Sequence, residues 1–192
     1  MADLLLELFS EEIPARMQAD AAEHLQKSLL EGLKKEGITA EIESRTLVTP
    51  RRLALIVKGL PVAQEASETE LKGPKVGAPE AALQGFLKKI NLTQKDLTER
   101  DGIYFAVAKK EGRQTADALK AVIEKTMLEF PWPKSMRWGA HSSIWVRPLH
   151  SILCLFDGKV VPVKFGPVTA NNFTFGHRFL AAREVITPLS VD

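Results

Sequence analysis

The spacing of apolar positions changes several times along this chain, and each change predicts a new element. The chain begins with "DLLLEL", an apolar run of strand length, after which Ala22, Leu25, Leu29 and Leu33 recur at three- and four-residue intervals. That period marks one face of a long amphipathic helix. Pro14 stands where a first helical turn accepts proline, and Lys34, Lys35 and Gly37 form a stop signal at the other end. "TAEIESRTLVT" and "RRLALIVKGL" read as strands joined in a hairpin across Thr49 and Pro50, the second apolar on both faces and so central in its sheet. From Pro61 to Pro79 the chain is rich in Glu, Ser, Thr, Gly and Pro without a period, which predicts a loop. "APEAALQGFLKKI" then predicts a short helix, "NLTQKDL" a turn entering another, and "GIYFAVAKK" a strand.

This order of strand, helix, strand, strand, helix, strand is the split β-α-β order of ferredoxin-like domains. "TADALKAVIEKTMLEF" adds a helix with Ala118, Val122, Ile123, Met127 and Phe130 on one stripe. Past Pro131 the signals turn to strands, and Asp157 with Gly158 makes a two-residue hairpin turn between apolar runs. The expected fold class is therefore α+β in two small lobes. The first, over residues 1–112, carries the split β-α-β order; the second, over 113–192, is a helix followed by a β-rich, basic and aromatic part.

Composition narrows the function classes. With 45% hydrophobic and 26% charged residues the chain matches soluble globular proteins, which excludes collagen-like, disordered and disulfide-scaffold readings. It contains no run near the roughly 20 apolar residues that span a bilayer, and "MADLLLELFSEE" lacks a secretory signal's basic start and small-residue cleavage site. A cytoplasmic protein without a membrane partner is expected. The single Cys154 lies inside "SILCLF" and reads as core, and the four histidines have no zinc spacing, so no metal site is expected. The sequence has no GxxxxGK[ST] or GxGxxG phosphate loop.

The net charge of +2 conceals an asymmetry. From Pro131 onward seven Lys and Arg face three Asp and Glu, which leaves 19 cations against 21 acids before it. All three tryptophans and five of the nine phenylalanines fall between Pro131 and Arg183. Cations interleaved with aromatic rings suit a surface that meets nucleic acid, and equally a small β-rich core with solvated charges. "PWPKSMRWG", residues 131–139, concentrates the pattern: its prolines stiffen the backbone, Trp132 and Trp138 can cover apolar surface, and Lys134 and Arg137 then face outward as a cationic ledge. Arg147, His150 and Arg178 join it if the strands pair suitably, and Arg51 and Arg52 of "TPRR" are turn residues or further contacts. Glu11 and Glu12, between strand and helix, are either a strand-end carboxylate pair or complements to the helix dipole. His150 and Cys154, four apart, could share a strand face as base and nucleophile, but nothing beside them in sequence supplies an oxyanion hole. No catalytic residue is assigned.

Five strings, in order, carry more than pattern: "LLLELFSEEIPARM", "VTPRRLAL", "PWPKSMRWG", "WVRPLHSILCLFDGKVVP" and "GHRFL". Together they resemble the bacterial glycyl-tRNA synthetase β subunit over essentially the whole chain. The resemblance implies an enzyme of two α and two β subunits that joins glycine to its tRNA using ATP. It places the class II site for glycine, ATP and magnesium in the α subunit and most tRNA contacts in the β subunit, so no cofactor is expected on this chain. Family β subunits are several times longer, with an HD-like helical domain and a C-terminal anticodon-binding domain, so this chain looks like an N-terminal fragment. Its loop after Gly73, "KVGAPEAALQGF", is shorter than the insert usual in the family. Under the resemblance Arg51, Arg52, Lys134, Arg137, Trp138, Arg147, His150 and Arg178 become candidate contacts to tRNA or to the α subunit. A purely structural module, and a hydrolase acting on aminoacylated tRNA through His150, His177 and Cys154, are the alternatives.

Overall fold

Alternation along β1 (Ala2–Ser10) sets the frame: Ala2, Leu4, Leu6, Leu8 and Ser10 are buried, and the residues between them are half-buried. One face of this strand is therefore core and the other is only partly covered. These features come from a computed structural model that describes residues 1–64, 67–75, 79, 83–87, 97–100, 102–110, 112–177, 179–180 and 185–188. The chain divides into two units, one formed by Met1–Gln64 with Gln114–Asp192 and one by Glu65–Arg113.

The larger unit is built on β1, α1 (Ala15–Lys35), β2 (Glu43–Thr49), β3 (Arg52–Leu60), α2 (Thr115–Leu128), β4 (Leu149–Phe156) and the short edge strand β5 (Lys159–Val160). Its sheet runs β5-β4-β1-β3-β2, with every neighbouring pair antiparallel. Without the edge strand this is the order 4-1-3-2 of a split β-α-β fold. The predicted order is thus present, but α2 and β4 complete it in place of the helix and strand expected before residue 112. The expected division at residue 112 is corrected accordingly, because β4 pairs with β1 from Leu4↔Phe156 to Ser10↔Leu149. Strands about 150 residues apart share one sheet, and Glu65–Arg113 is inserted between β3 and α2.

Both helices bury the stripes that their sequences predict, except that Phe130 lies beyond the end of α2 at Leu128 and is half-buried. Leu25, Leu29 and Leu33 of α1 and Ala118, Ile123 and Met127 of α2 join Leu4, Leu6, Leu53, Leu55 and Cys154 of the sheet in one cluster. Gly37, with φ of 87°, ends α1, and the N–H groups of Gly37 and Ile38 satisfy the carbonyls of Lys34 and Leu33. The β2–β3 hairpin closes at Thr49↔Arg52, and Asp157 and Gly158, with φ of 52° and 70°, turn β4 into β5. Beyond α2 the described structure is strands and turns: ladders join Met136–Arg137 to Ile144–Trp145, Lys164–Phe165 to Val168–Thr169, and Thr174–Phe175 to Val185–Ile186. Among the described residues no helix is long and apolar enough to cross a membrane.

The inserted unit is a three-stranded sheet in which Ile103–Lys110 lies between Ser67–Lys75 and Leu97–Arg100. Ser67–Lys75 overturns the loop predicted from Pro61 to Pro79; its polar sequence lacks the apolar alternation that identifies a half-buried strand. The register shifts between Lys72 and Lys75, around Gly73, where an added Cβ would stand 2.8 Å from the Phe86 ring and 2.9 Å from the Tyr104 carbonyl. Of the helix predicted in "APEAALQGFLKKI" residues 83–87 are described and helical, and most of "NLTQKDL" lies outside the described residues.

Candidate functional site

The "PWPKSMRWG" segment is anchored by rings. Trp132 lies 4.6 Å from Phe130 and 5.0 Å from Trp145, Trp145 lies 5.4 Å from Phe165, and Trp138 lies 6.1 Å from Phe165. Trp132 and Trp138 pack against the core of the larger unit, so both cover apolar surface as expected. With the rings turned inward, Lys134 and Arg137 are exposed, and no carboxylate pairs with either among the described residues. Arg137 stands opposite Ile144 in its ladder, and Arg147 is exposed three residues further on. Lys134 also lines a groove of about 680 Å³ with Arg16, His24 and Lys27 of α1 and the Trp132 ring.

The remaining candidates collect elsewhere, in a cleft of about 1060 Å³ at the Ser10 end of β1. Between Phe9 and Ser10 the β1–β4 register slips, so that Phe9 opposes Ser151 and Ser10 opposes Leu149. His150 is the extra residue of this bulge and is re-aimed towards the strand end. There its Nε2 meets Glu11 Oε1 at 2.6 Å, and the same oxygen accepts from Arg51 at 3.3 Å. Glu11 therefore serves this cluster, and both it and Glu12 precede the first turn of α1. Arg51 also donates from Nε to the Ser10 carbonyl at 3.1 Å. Arg52 donates to the Phe175 carbonyl and lies 3.5 Å from Glu7, whose other carboxylate oxygen accepts from the Thr174 hydroxyl. Both guanidinium carbons sit within 5 Å of the Phe9 ring centre, at 4.8 and 4.9 Å. Arg51 and Arg52 thus fasten the β2–β3 turn and the Thr174–Phe175 segment onto β1, which supports their reading as turn residues.

Phe175, His177 and Phe179 complete the lining with Glu12, Thr49 and Pro50. Composition flagged this aromatic segment, but its meeting with Glu11 depends on pairing between chain ends and leaves no local signal. Arg178 lies outside the described residues. The His150 and Cys154 pair is not assembled: His150 is exposed, whereas Cys154 is buried opposite Leu6. Burial pushes the Cys154 thiol up to about 12, so it stays protonated near neutral pH and is core, as its apolar run predicts.

Similarity to known proteins agrees with the five sequence strings. A family model described as glycyl-tRNA synthetase beta subunit matches residues 4–190. The chain is 52% identical to a glycine–tRNA ligase beta subunit from Ruegeria sp. (strain TM1040), over 97% of this chain and 28% of the relative. A protein of the same description from Phenylobacterium zucineum (strain HLK1) is 51% identical over 94% of this chain and 27% of its own length. One from Rickettsia felis is 42% identical over 93% of this chain and 27% of its own length. The chain thus spans little more than a quarter of the curated relatives it matches, and it belongs to the glycyl-tRNA synthetase beta subunit family.

Proposed function

We propose that this chain is the N-terminal part of the β subunit of a heterotetrameric, cytoplasmic glycine–tRNA ligase, which attaches glycine to its tRNA using ATP. Its work is to help hold the tRNA and to organise the assembly with the α subunit. The observation that carries this reading is the pair of exposed cations, Lys134 and Arg137, on a segment whose tryptophans are packed into the core. A cation on a stiff support loses less freedom on meeting a phosphate than one on a loose loop, and such contacts position a nucleic acid without reading its sequence. Glycine, ATP and magnesium belong to the α subunit in this scheme.

Two measurements test it. Replacing Lys134 and Arg137 together with alanine weakens binding of glycine tRNA at low salt and lowers the slope of log affinity against log salt by about 1 to 2 units, since each lost phosphate contact removes roughly 0.7–0.9. Stability stays nearly unchanged, because exposed cations contribute little to folding. Unaltered affinity and slope, with failed assembly on the α subunit, would make the segment a protein-binding surface and the chain a purely structural module. Separately, the purified chain supplied with glycine, ATP and tRNA shows no glycine-dependent pyrophosphate exchange. Measurable exchange would place an adenylate-forming site on this chain and end the proposed division of labour.

A further inference from the structure

The solvent side of α1 borders the groove of about 680 Å³ that it forms with residues 130–134. Along it Arg16, Asp20, Glu23 and Lys27 follow at intervals of four, three and four residues, so their side chains share one side of the helix. All four are exposed, and none is in an ion pair among the described residues. At a rise of about 1.5 Å per residue they spread two cations, with two carboxylates between them, over about 16 Å. The facing wall is apolar: the Trp132 ring packs on Phe130, and Pro131 and Pro133 stiffen the backbone on either side of it. Lys134 lines the groove too, so groove and ledge meet at that residue.

The order of signs decides what this groove fits. A nucleic-acid backbone is negative throughout and would meet Asp20 and Glu23 at the middle of the face, where like charges repel. A polypeptide can set an acid, two bases and an acid against the same four positions while its apolar side chains enter between Trp132 and the helix. A regular helix and a proline-stiffened wall need little ordering on binding. We propose that this groove seats a polypeptide segment of the α subunit, apolar at its centre and opposite in charge to Arg16, Asp20, Glu23 and Lys27. The inference rests on the reading of the chain as part of a β subunit that assembles with α; it gives the groove to α and leaves the ledge to tRNA.

The test uses the full-length β subunit that carries this region and its purified α subunit, with association followed by biolayer interferometry at physiological salt. Asp20→Lys with Glu23→Lys weakens α binding by about tenfold or more, and Arg16→Glu with Lys27→Glu weakens it comparably, because a partner of mixed charge opposes every position. Asp20→Asn with Glu23→Gln, which reverses no charge, weakens it by a smaller factor. All four side chains are exposed, so each variant keeps the wild-type circular dichroism spectrum. Glycine tRNA reads the alternative: on a phosphate track the first double variant tightens tRNA, the second weakens it and α binding stays unchanged, a result that overturns the proposal. Unchanged α binding with a lowered melting temperature of the β subunit also overturns it, and gives the groove to the remainder of that subunit. A wild-type β subunit that does not bind α would reject the underlying reading as well. Failure of the ledge appears separately, as an unchanged tRNA salt slope in the Lys134 and Arg137 double variant.

Discussion

Replacing Trp145 with alanine lowers the stability of the larger unit by about 3–5 kcal/mol, the cost of emptying a packed tryptophan site. The side chain is 1% exposed and is bounded by Phe130, Trp132 and Phe165, with ring centres 5.1, 5.0 and 5.4 Å away. Each tilted or edge-on contact adds roughly 0.5–1.5 kcal/mol beyond area burial, and all three are lost together. Of its ring contacts among the described residues Trp132 then keeps the one with Phe130, so the segment bearing Lys134 and Arg137 loosens as well. Chemical denaturation followed by circular dichroism measures the loss, and Trp145→Phe recovers part of it. Trp138→Ala has a smaller effect in the same direction, since that ring is half-buried and touches Phe165 from 6.1 Å. A denaturation midpoint for Trp145→Ala equal to wild type would show that this ring cluster does not support the fold.

The contact between the helices gives the second large effect. A Cβ added at Gly32 of α1 would stand 2.4 Å from Val122 Cγ1 of α2. In a helix interior alanine is favoured over glycine by about 1 kcal/mol, so propensity alone predicts that Gly32→Ala stabilises. The overlap opposes it, because a helical valine has essentially one χ1 rotamer and cannot swing its methyl away. The helices must separate and loosen their shared cluster, at a cost of about 1–3 kcal/mol that outweighs the propensity gain in most of that range. Gly32→Ala therefore lowers the melting temperature, and adding Val122→Ala restores part of the loss relative to Val122→Ala alone. A Gly32→Ala protein more stable than wild type, with no coupling to Val122, would mean that the helices part without strain.

The sequence by itself determined the elements whose signal is local. The stripes of α1 and α2 are periodic, the turn expected across Thr49 and Pro50, which falls at Pro50–Arg51, and the Asp157–Gly158 turn are marked by their own residues, and Cys154 is announced by the apolar run around it. Family membership was legible for the same reason, being carried by short strings in order. Tertiary structure alone decided which strands meet. Periodicity reports that β4 is buried but not that β1 is its neighbour; that choice depends on matching faces about 150 residues apart and on two helices covering the same side. Ser67–Lys75 was hidden because a polar strand lacks the alternation by which strands are recognised. The cleft was hidden most completely: a one-residue slip between Phe9 and Ser10 turns His150 onto Glu11, and such a slip follows from how two distant strands end against each other, which neither strand's sequence encodes.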